Sequence, residues 1–180
     1  MGAPATAEPA MLFAALFSSD KVLLEKGVSA LCEDTGSPVC SSEIFEFSET
    51  DYYREEMGKP LFKQLFLFPG IFDPGRISET KLLANRLEQS FSVHGKRKVN
   101  IDPGYITLTK VVLATTKNYS HRIYVGKGIY AEITLSWEKG AFNPNPWTYP
   151  DYKRPAVIDF FNTAREKVKK VQDSKSEVQG

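Results

Sequence analysis

Apolar and polar positions along the chain fall into distinct rhythms, and each predicts a different kind of element. Residues 11–18 are a short, continuous apolar run ended by Ser and Asp, the pattern of a strand buried on both faces. Beyond it Leu23, Leu24, Gly27, Val28 and Leu31 recur three and four apart. Ser18 or Ser19 stands where a cap belongs and Gly36 with Pro38 where a stop belongs, so a helix follows. Ile44, Phe45 and Phe47 mark a second short strand, and 50–58 is a charged, tyrosine-bearing link in which Thr50 or Asp51 can cap a helical turn. Residues 61–68 read as a strand with a period near two, interrupted by Lys63 and Gln64 and closed by Pro69-Gly70. Asp73-Pro74 pairs an N-cap with a proline at the first helical position, and Ile77, Thr80, Ala84, Leu87 and Phe91 then form one helical face. A last helix starts at Pro155, its stripe made by Val157, Phe161, Ala164, Val168 and Val171.

Between the two later helices the period shortens to that of strands. Asp102-Pro103-Gly104 reads as a turn. Residues 106–116 read as a strand with Lys110 intruding in its apolar row; a helix through Tyr105, Thr109, Val112 and Thr116 fits less well with so many β-branched residues. Gly126-Lys127-Gly128, flanked by 121–125 and 129–137, predicts a hairpin with a three-residue loop. If Val125 faces Ile129, then Tyr124 faces Tyr130, Ile123 faces Ala131 and Arg122 faces Glu132. One face is then a core row of Ile123, Val125, Ile129, Ala131, Ile133 and Leu135. The other carries an aromatic pair beside an ion pair. The mixed order of elements predicts a single-domain α+β sandwich, with an antiparallel or mixed sheet and helices mainly on one face. The domain is expected over 11–168, between a disordered tail at 1–10 and a frayed one at 169–180.

Composition narrows the partners. With 23 basic and 22 acidic side chains in 180 residues the net charge is +1, which supplies no global field for nucleic acid or an anionic membrane. The apolar run at 11–17 is far shorter than a membrane span, and no basic residue precedes it as in a secretory leader. Cys32 and Cys40 have no metal-ligand spacing and read as free thiols. These features together predict a cytoplasmic protein, and they leave cofactor and oligomeric state open.

Three constellations carry chemistry. Lys96, Arg97, Lys98, Lys110, Arg122 and Lys127 can bind an anion, with Arg122 the best placed because a strand holds it rigid. The competing reading is a solvated basic turn with Arg122 paired to Glu132. Asp102, His121, Glu132 and Asp151 offer acid/base or metal-ligand groups, yet their spacing matches no metal motif, and strand parity points His121 away from Glu132. The aromatic-proline segment 142–152, with Trp147, Tyr149 and Tyr152, fits a lid, a structural strap or a partner surface. No nucleophile elbow and no phosphate loop is present.

The runs at 100–105, 110–116, 121–132 and 147–152, with an earlier motif at 50–58, closely resemble domain-of-unknown-function family 4416 over roughly residues 11–168. That resemblance implies a prokaryotic protein of a group without an established activity, and it assigns no roles. The leading expectation is binding of a small phosphorylated or otherwise anionic ligand, such as a nucleotide, on the sheet face holding Arg122, Tyr124, Tyr130 and Glu132, with Arg97 and Trp147 nearby. Glu132, Lys110, Asp102 and His121 are the candidates for catalysis. The alternatives are a protein-interaction module using 142–152 and a metal-assisted hydrolase built on Asp102, His121 and Glu132.

Overall fold

The computed structural model describes residues 2–178. Its central strand is β1 (Met11–Ser18), buried along its whole length as its unbroken apolar run requires. Helix α1 (Lys21–Thr35) follows, capped by Asp20, whose carboxylate accepts from the Val22 N–H. Neither Ser18 nor Ser19, the expected caps, serves, and Ser18 donates its hydroxyl to the Lys98 carbonyl at 2.6 Å. Gly36, at φ +77°, ends the helix as expected. Two short strands, β2 (Cys40–Ser41) and β3 (Phe45–Glu46), one helical turn, α2 (Arg54–Met57), and strand β4 (Phe62–Leu67) come next. Asp73 caps a 3-10 turn (Pro74–Arg76) that leads into α3 (Ile77–Ser90). The remaining strands are β5 (Asn100–Ile106), β6 (Lys110–Thr115), β7 (Ile123–Gly126), β8 (Ile129–Glu138) and β9 (Ala141–Pro144). A second 3-10 turn (Pro150–Lys153) then precedes α4 (Pro155–Val178).

The strands form one antiparallel sheet of nine in the order β2-β4-β1-β5-β6-β8-β7, with β3 beside β4 and β9 beside β8. Strand alternation sorts β1 onto two cores. Met11, Phe13 and Ala15 pack beneath α4 with Phe161, Ala164 and Val168. Leu12, Ala14 and Leu16 pack beneath α1 and α3 with Leu24, Leu31 and Ala84. Two of the three long helices thus share one face in this α+β fold, and α4 covers the other. Helix α4 runs on to Val178, past the expected domain end at 168. Residues 2–9 have no regular structure.

Asp102-Pro103-Gly104 is not a turn but the middle of β5, paired along β1 from Asn100 to Ile106. On its other edge β5 meets β6 only through Gly104, Tyr105 and Ile106. From Pro103 backwards the two strands part. Pro103 lacks an N–H, and by strand alternation its nitrogen lies on the edge away from β1, as does the Ile101 N–H, so a partner strand would find no donor at Pro103. Gly104 supports the close contact that remains. A Cβ at this position would sit 2.2 Å from the Val112 carbonyl oxygen and 2.5 Å from the Phe13 ring.

The hairpin keeps the expected pairs Tyr124 with Tyr130 and Ile123 with Ala131, but Gly126 replaces Val125 opposite Ile129 through a bulge. The predicted burial is corrected more deeply. Ile123 and Ile133 are exposed, whereas Arg122, Glu132 and Thr134 are buried. Ile129 packs near α3 with Ile77 and Ala114, but that helix does not cover Ile123 or Ile133. A second irregularity, where Val111 and Val112 pair with Leu135 and Ile133, skips Thr134 and lets Leu135 join the α4 core.

Gly104→Ala is expected to lower unfolding stability by about 3 kcal/mol or more, because the clash is with backbone rather than a movable side chain. Urea denaturation of wild type and variant measures this.

Candidate functional site

Where β5 and β6 part, the sheet opens into a cleft of about 480 Å³ bordered by Asn100 and Asp102 on one side and by Ala114, Thr115 and Thr116 on the other. An opened sheet exposes backbone groups, and here side chains of α3 take the place of the missing strand. The Ile101 N–H donates to Glu88 Oε1 at 2.7 Å, and the Ile101 carbonyl accepts from Lys81 Nζ at 2.8 Å. Ile77, Lys81, Ala84 and Glu88 are all buried at spacings of four, three and four, so the inward stripe of α3 includes two charges. Of the expected stripe, Ile77 and Ala84 are buried and Leu87 and Phe91 pack partly buried against the core, whereas Thr80 bonds back to the Arg76 carbonyl.

Those charges extend into a network. Lys81 also bonds Asp102 Oδ1 at 3.0 Å, and Asn100 Nδ2 donates to Asp102 Oδ2 at 2.7 Å. Arg97 binds Glu56 through Nε at 2.7 Å and Nη2 at 2.8 Å, and Glu88 through Nη1 at 3.1 Å. From the α4 side, Lys63 of β4 meets Asp151 at 2.6 Å, with both side chains at most 5 % exposed. The Lys63 ammonium lies 4.8 Å from the Phe47 ring centroid and 4.9 Å from that of Tyr152. Withdrawing such ions from water costs several kcal/mol each unless partners surround them. Burial works to raise the Asp102 pKa, but Lys81, Lys63 and the hydrogen bonds from Lys81 and Asn100 outweigh it, so the group ionises more readily than usual. At Glu88 burial prevails, and the pKa is raised. Glu56 is lowered by its hydrogen bond from Arg97.

The mouth is aromatic. Tyr52 and Tyr119 are exposed there, and the Lys117 ammonium lies 4.1 Å from the Tyr52 ring centroid. Arg122 fixes this rim without facing the cleft. It donates to Glu132 Oε2 at 2.6 Å, to the Lys117 carbonyl at 2.9 Å and to the Tyr149 hydroxyl at 2.8 Å, with its guanidinium over Tyr119 at 4.4 Å. Its side chain is only 1 % exposed. Burial would lower its pKa, yet the bonds to Glu132 and Tyr149 raise it.

The residues chosen from sequence therefore separate. Asp102 and Arg97 border the cleft. Arg122 and Glu132 lie behind its wall as a buried pair, not on an open face. Tyr124 and Tyr130 meet edge to face at 5.4 Å on the hairpin, away from the cleft. His121 does not point away from Glu132. Strand β7 begins only at Ile123, so His121 escapes the alternation and places Nε2 3.1 Å from Glu132 Oε2. Trp147 stacks on that imidazole at 5.4 Å and donates to the Ile133 carbonyl. Lys110 pairs with Glu8 at 3.1 Å, remote from the cleft. Asp102, His121 and Glu132 do not assemble as one ligand set, and among the described residues no three His, Cys, Asp or Glu side chains do. Lys63, Lys81, Glu88 and Asn85 were not singled out from the sequence as site residues, and Tyr152 only as part of the aromatic-proline segment. The available signal was a charge at an apolar phase: Lys63 in step with Leu61, Leu65 and Leu67, and Lys81 in step with Ile77 and Ala84.

Two outcomes follow. Arg122→Ala leaves Glu132 buried without its cation and is expected to cost roughly 3–5 kcal/mol, whereas Arg122→Met combined with Glu132→Leu recovers most of that loss in urea titrations. Asp102 is ionised in the fold at pH values where the unfolded chain has begun to protonate it. The stability this gives is present above its ordinary pKa of 3.8 and is lost as pH falls toward the lower folded value. Asp102→Asn should therefore show a flatter decline in unfolding free energy than wild type between about pH 5 and pH 2.

No helix among the described residues is long and apolar enough to cross a membrane. No curated protein and no solved structure matches the chain. The model of the family described as "Domain of unknown function (DUF4416)" matches residues 8–168, a span that holds every strand of the sheet and every residue bordering the cleft, and the chain belongs to that family.

Proposed function

We propose that the cleft in the split sheet binds a small polar ligand bearing an anionic group. The observation that carries this reading is the convergence of buried charges from β4, α3 and the second 3-10 turn, with the half-buried Asp102 of β5, around open space of about 480 Å³, a size typical of small-molecule sites. Tyr52, Tyr53 and Tyr119 add faces on which a ring or sugar can lie. The carboxylates of Glu88 and Asp151, which are buried, and of Asp102, which is half-buried, each have a cationic partner. Lys117, by contrast, has no carboxylate within ion-pair distance among the described residues, which makes it the free cation at the mouth. Asn85 presents a half-buried carboxamide with no hydrogen bond inside the protein among the described residues. Arg122, in this reading, positions Lys117 and Tyr149 and does not touch the ligand.

A thermal-shift screen of nucleotides, sugar phosphates and small carboxylates tests it. A ligand at a hundred times its Kd stabilises by about 2.7 kcal/mol, which for a chain of this size is a rise of roughly 5–10 °C in Tm. Lys117→Ala and Asn85→Leu should fold normally and each weaken any hit about tenfold. A screen without hits, or hits indifferent to both substitutions, would remove the cleft from consideration.

A further inference from the structure

Among the charges around the cleft, Lys63, Lys81, Glu88 and Asp151 have side chains at most 6 % exposed, whereas that of Asp102 is 26 % exposed. Strand β1 runs along one edge of β5 and the gap lies along the other, so the surface Asp102 keeps is turned to the cleft. Both of its carboxylate oxygens are held in place. Lys81 Nζ donates to Oδ1 at 3.0 Å and Asn100 Nδ2 to Oδ2 at 2.7 Å, while Arg97 Nη1 donates to Asn100 Oδ1 at 3.1 Å and so fixes that carboxamide. A carboxylate has roughly four acceptor positions on its two oxygens, and no other donor reaches Asp102 among the described residues, which leaves about one position on each oxygen.

We propose that Asp102 takes a pair of adjacent hydroxyls, and that the ligand of the cleft is a polyol phosphate. The inference rests on the reading of the cleft as a binding site and names the class of ligand it takes. Two acceptors side by side suit two donors on neighbouring atoms, and hydrogen bonds to an ionised acceptor are the strong ones. The donors are neutral, because Lys81 touches the carboxylate and the Lys63 charge also acts on it, so an ammonium or guanidinium would meet two cations already there. Hydroxyls suit the surroundings better than the N–H edge of a base. Asn85, Thr116 and the Tyr53 hydroxyl border the same space, none of them fully buried, and their side chains make no hydrogen bond inside the protein among the described residues. Burial, and after it the charge of Asp102, raises the Tyr53 phenol pKa, so that hydroxyl stays protonated. All three groups can both donate and accept, as a polyol does along its length, whereas a base edge that gave its donors to Asp102 would leave them unused.

The test uses the full chain and pairs of probes that differ in one hydroxyl: ribose 5-phosphate against 2-deoxyribose 5-phosphate, glycerol 3-phosphate against 1,3-propanediol phosphate, and guanosine monophosphate against its 2′-deoxy form. Calorimetry is run on wild type, Asp102→Asn and Lys117→Ala. In at least one pair, wild type should bind the member with adjacent hydroxyls roughly tenfold or more tighter, the loss expected for a hydrogen bond to a charged group. Asp102→Asn should bind the two members alike, whereas Lys117→Ala should weaken both and keep the preference. Wild type binding the members of every pair alike would overturn the inference, and that comparison stands even where Asp102→Asn does not fold. A folded Asp102→Asn that kept the preference would overturn it too. Both guanosine probes bound equally, and both weakened by Asp102→Asn, would put a base edge where the hydroxyls are placed and overturn it as well. In each of these cases weakening by Lys117→Ala would leave the cleft standing as a binding site. Binding of no probe would overturn the polyol phosphate, and binding indifferent to both substitutions would overturn it together with the cleft.

Discussion

The site depends on one constraint, the inability of β5 to be paired on both edges over its first half. Pro103 offers no donor toward β6, so the strands separate, and the carbonyl and N–H of Ile101 are left facing the gap. Unpaired backbone in a buried sheet is costly. Lys81 and Glu88 relieve it, but a helix can reach a sheet edge only with long side chains, and the long polar side chains are the charged ones. Once those two charges are inside, each needs a counter-charge, and Asp102 and Arg97 supply them. The polar lining of the cleft is thus a consequence of how the sheet was opened. It is not an addition to a finished core.

Arg122 shows how the rim is kept in place. One guanidinium joins the start of β7 to the middle of β8, to the 116–121 loop and to Tyr149, and Glu132 lies beneath it as counter-ion. This bond set leaves Lys117 displayed at the mouth while the backbone beneath it is anchored. Trp147 and His121 close the same corner from outside. The aromatic-proline segment serves as a wall. Phe142 fixes its start in the α4 core, and Tyr149, Asp151 and Tyr152 turn from its end toward the cleft.

Much of the fold was legible because burial follows period where neighbours are regular. The continuous run of β1, the Asp73-Pro74 start, the Gly36 stop and the Tyr124 and Tyr130 pairing all come from local rules. The site was less legible because it depends on which hydrophobic-phase positions hold charges and on what lies across from them. Asp102-Pro103-Gly104 has the composition of a turn, and only the long apolar partner β1 holds it extended. Ile123 and Ile133 keep a core rhythm at a place no helix covers. Arg122 and Glu132 do form the expected ion pair, though Arg122 lies just before β7, and register says nothing of the loop and the tyrosine that bury them.

Stability alone does not account for this arrangement. Replacing a buried ion pair by apolar side chains of similar volume is often neutral or stabilising, so Lys63 with Asp151 contributes little that a leucine pair would lack. Apolar replacements there would also let the surrounding Phe17, Phe47 and Tyr152 rings close on one another. The charged pair does the opposite. Its ammonium lies among the three rings, and in the proposed binding reading its desolvation penalty is met before any ligand arrives. Groups held in this way are preorganised, and preorganisation is what raises affinity for a small ligand when contact area is limited.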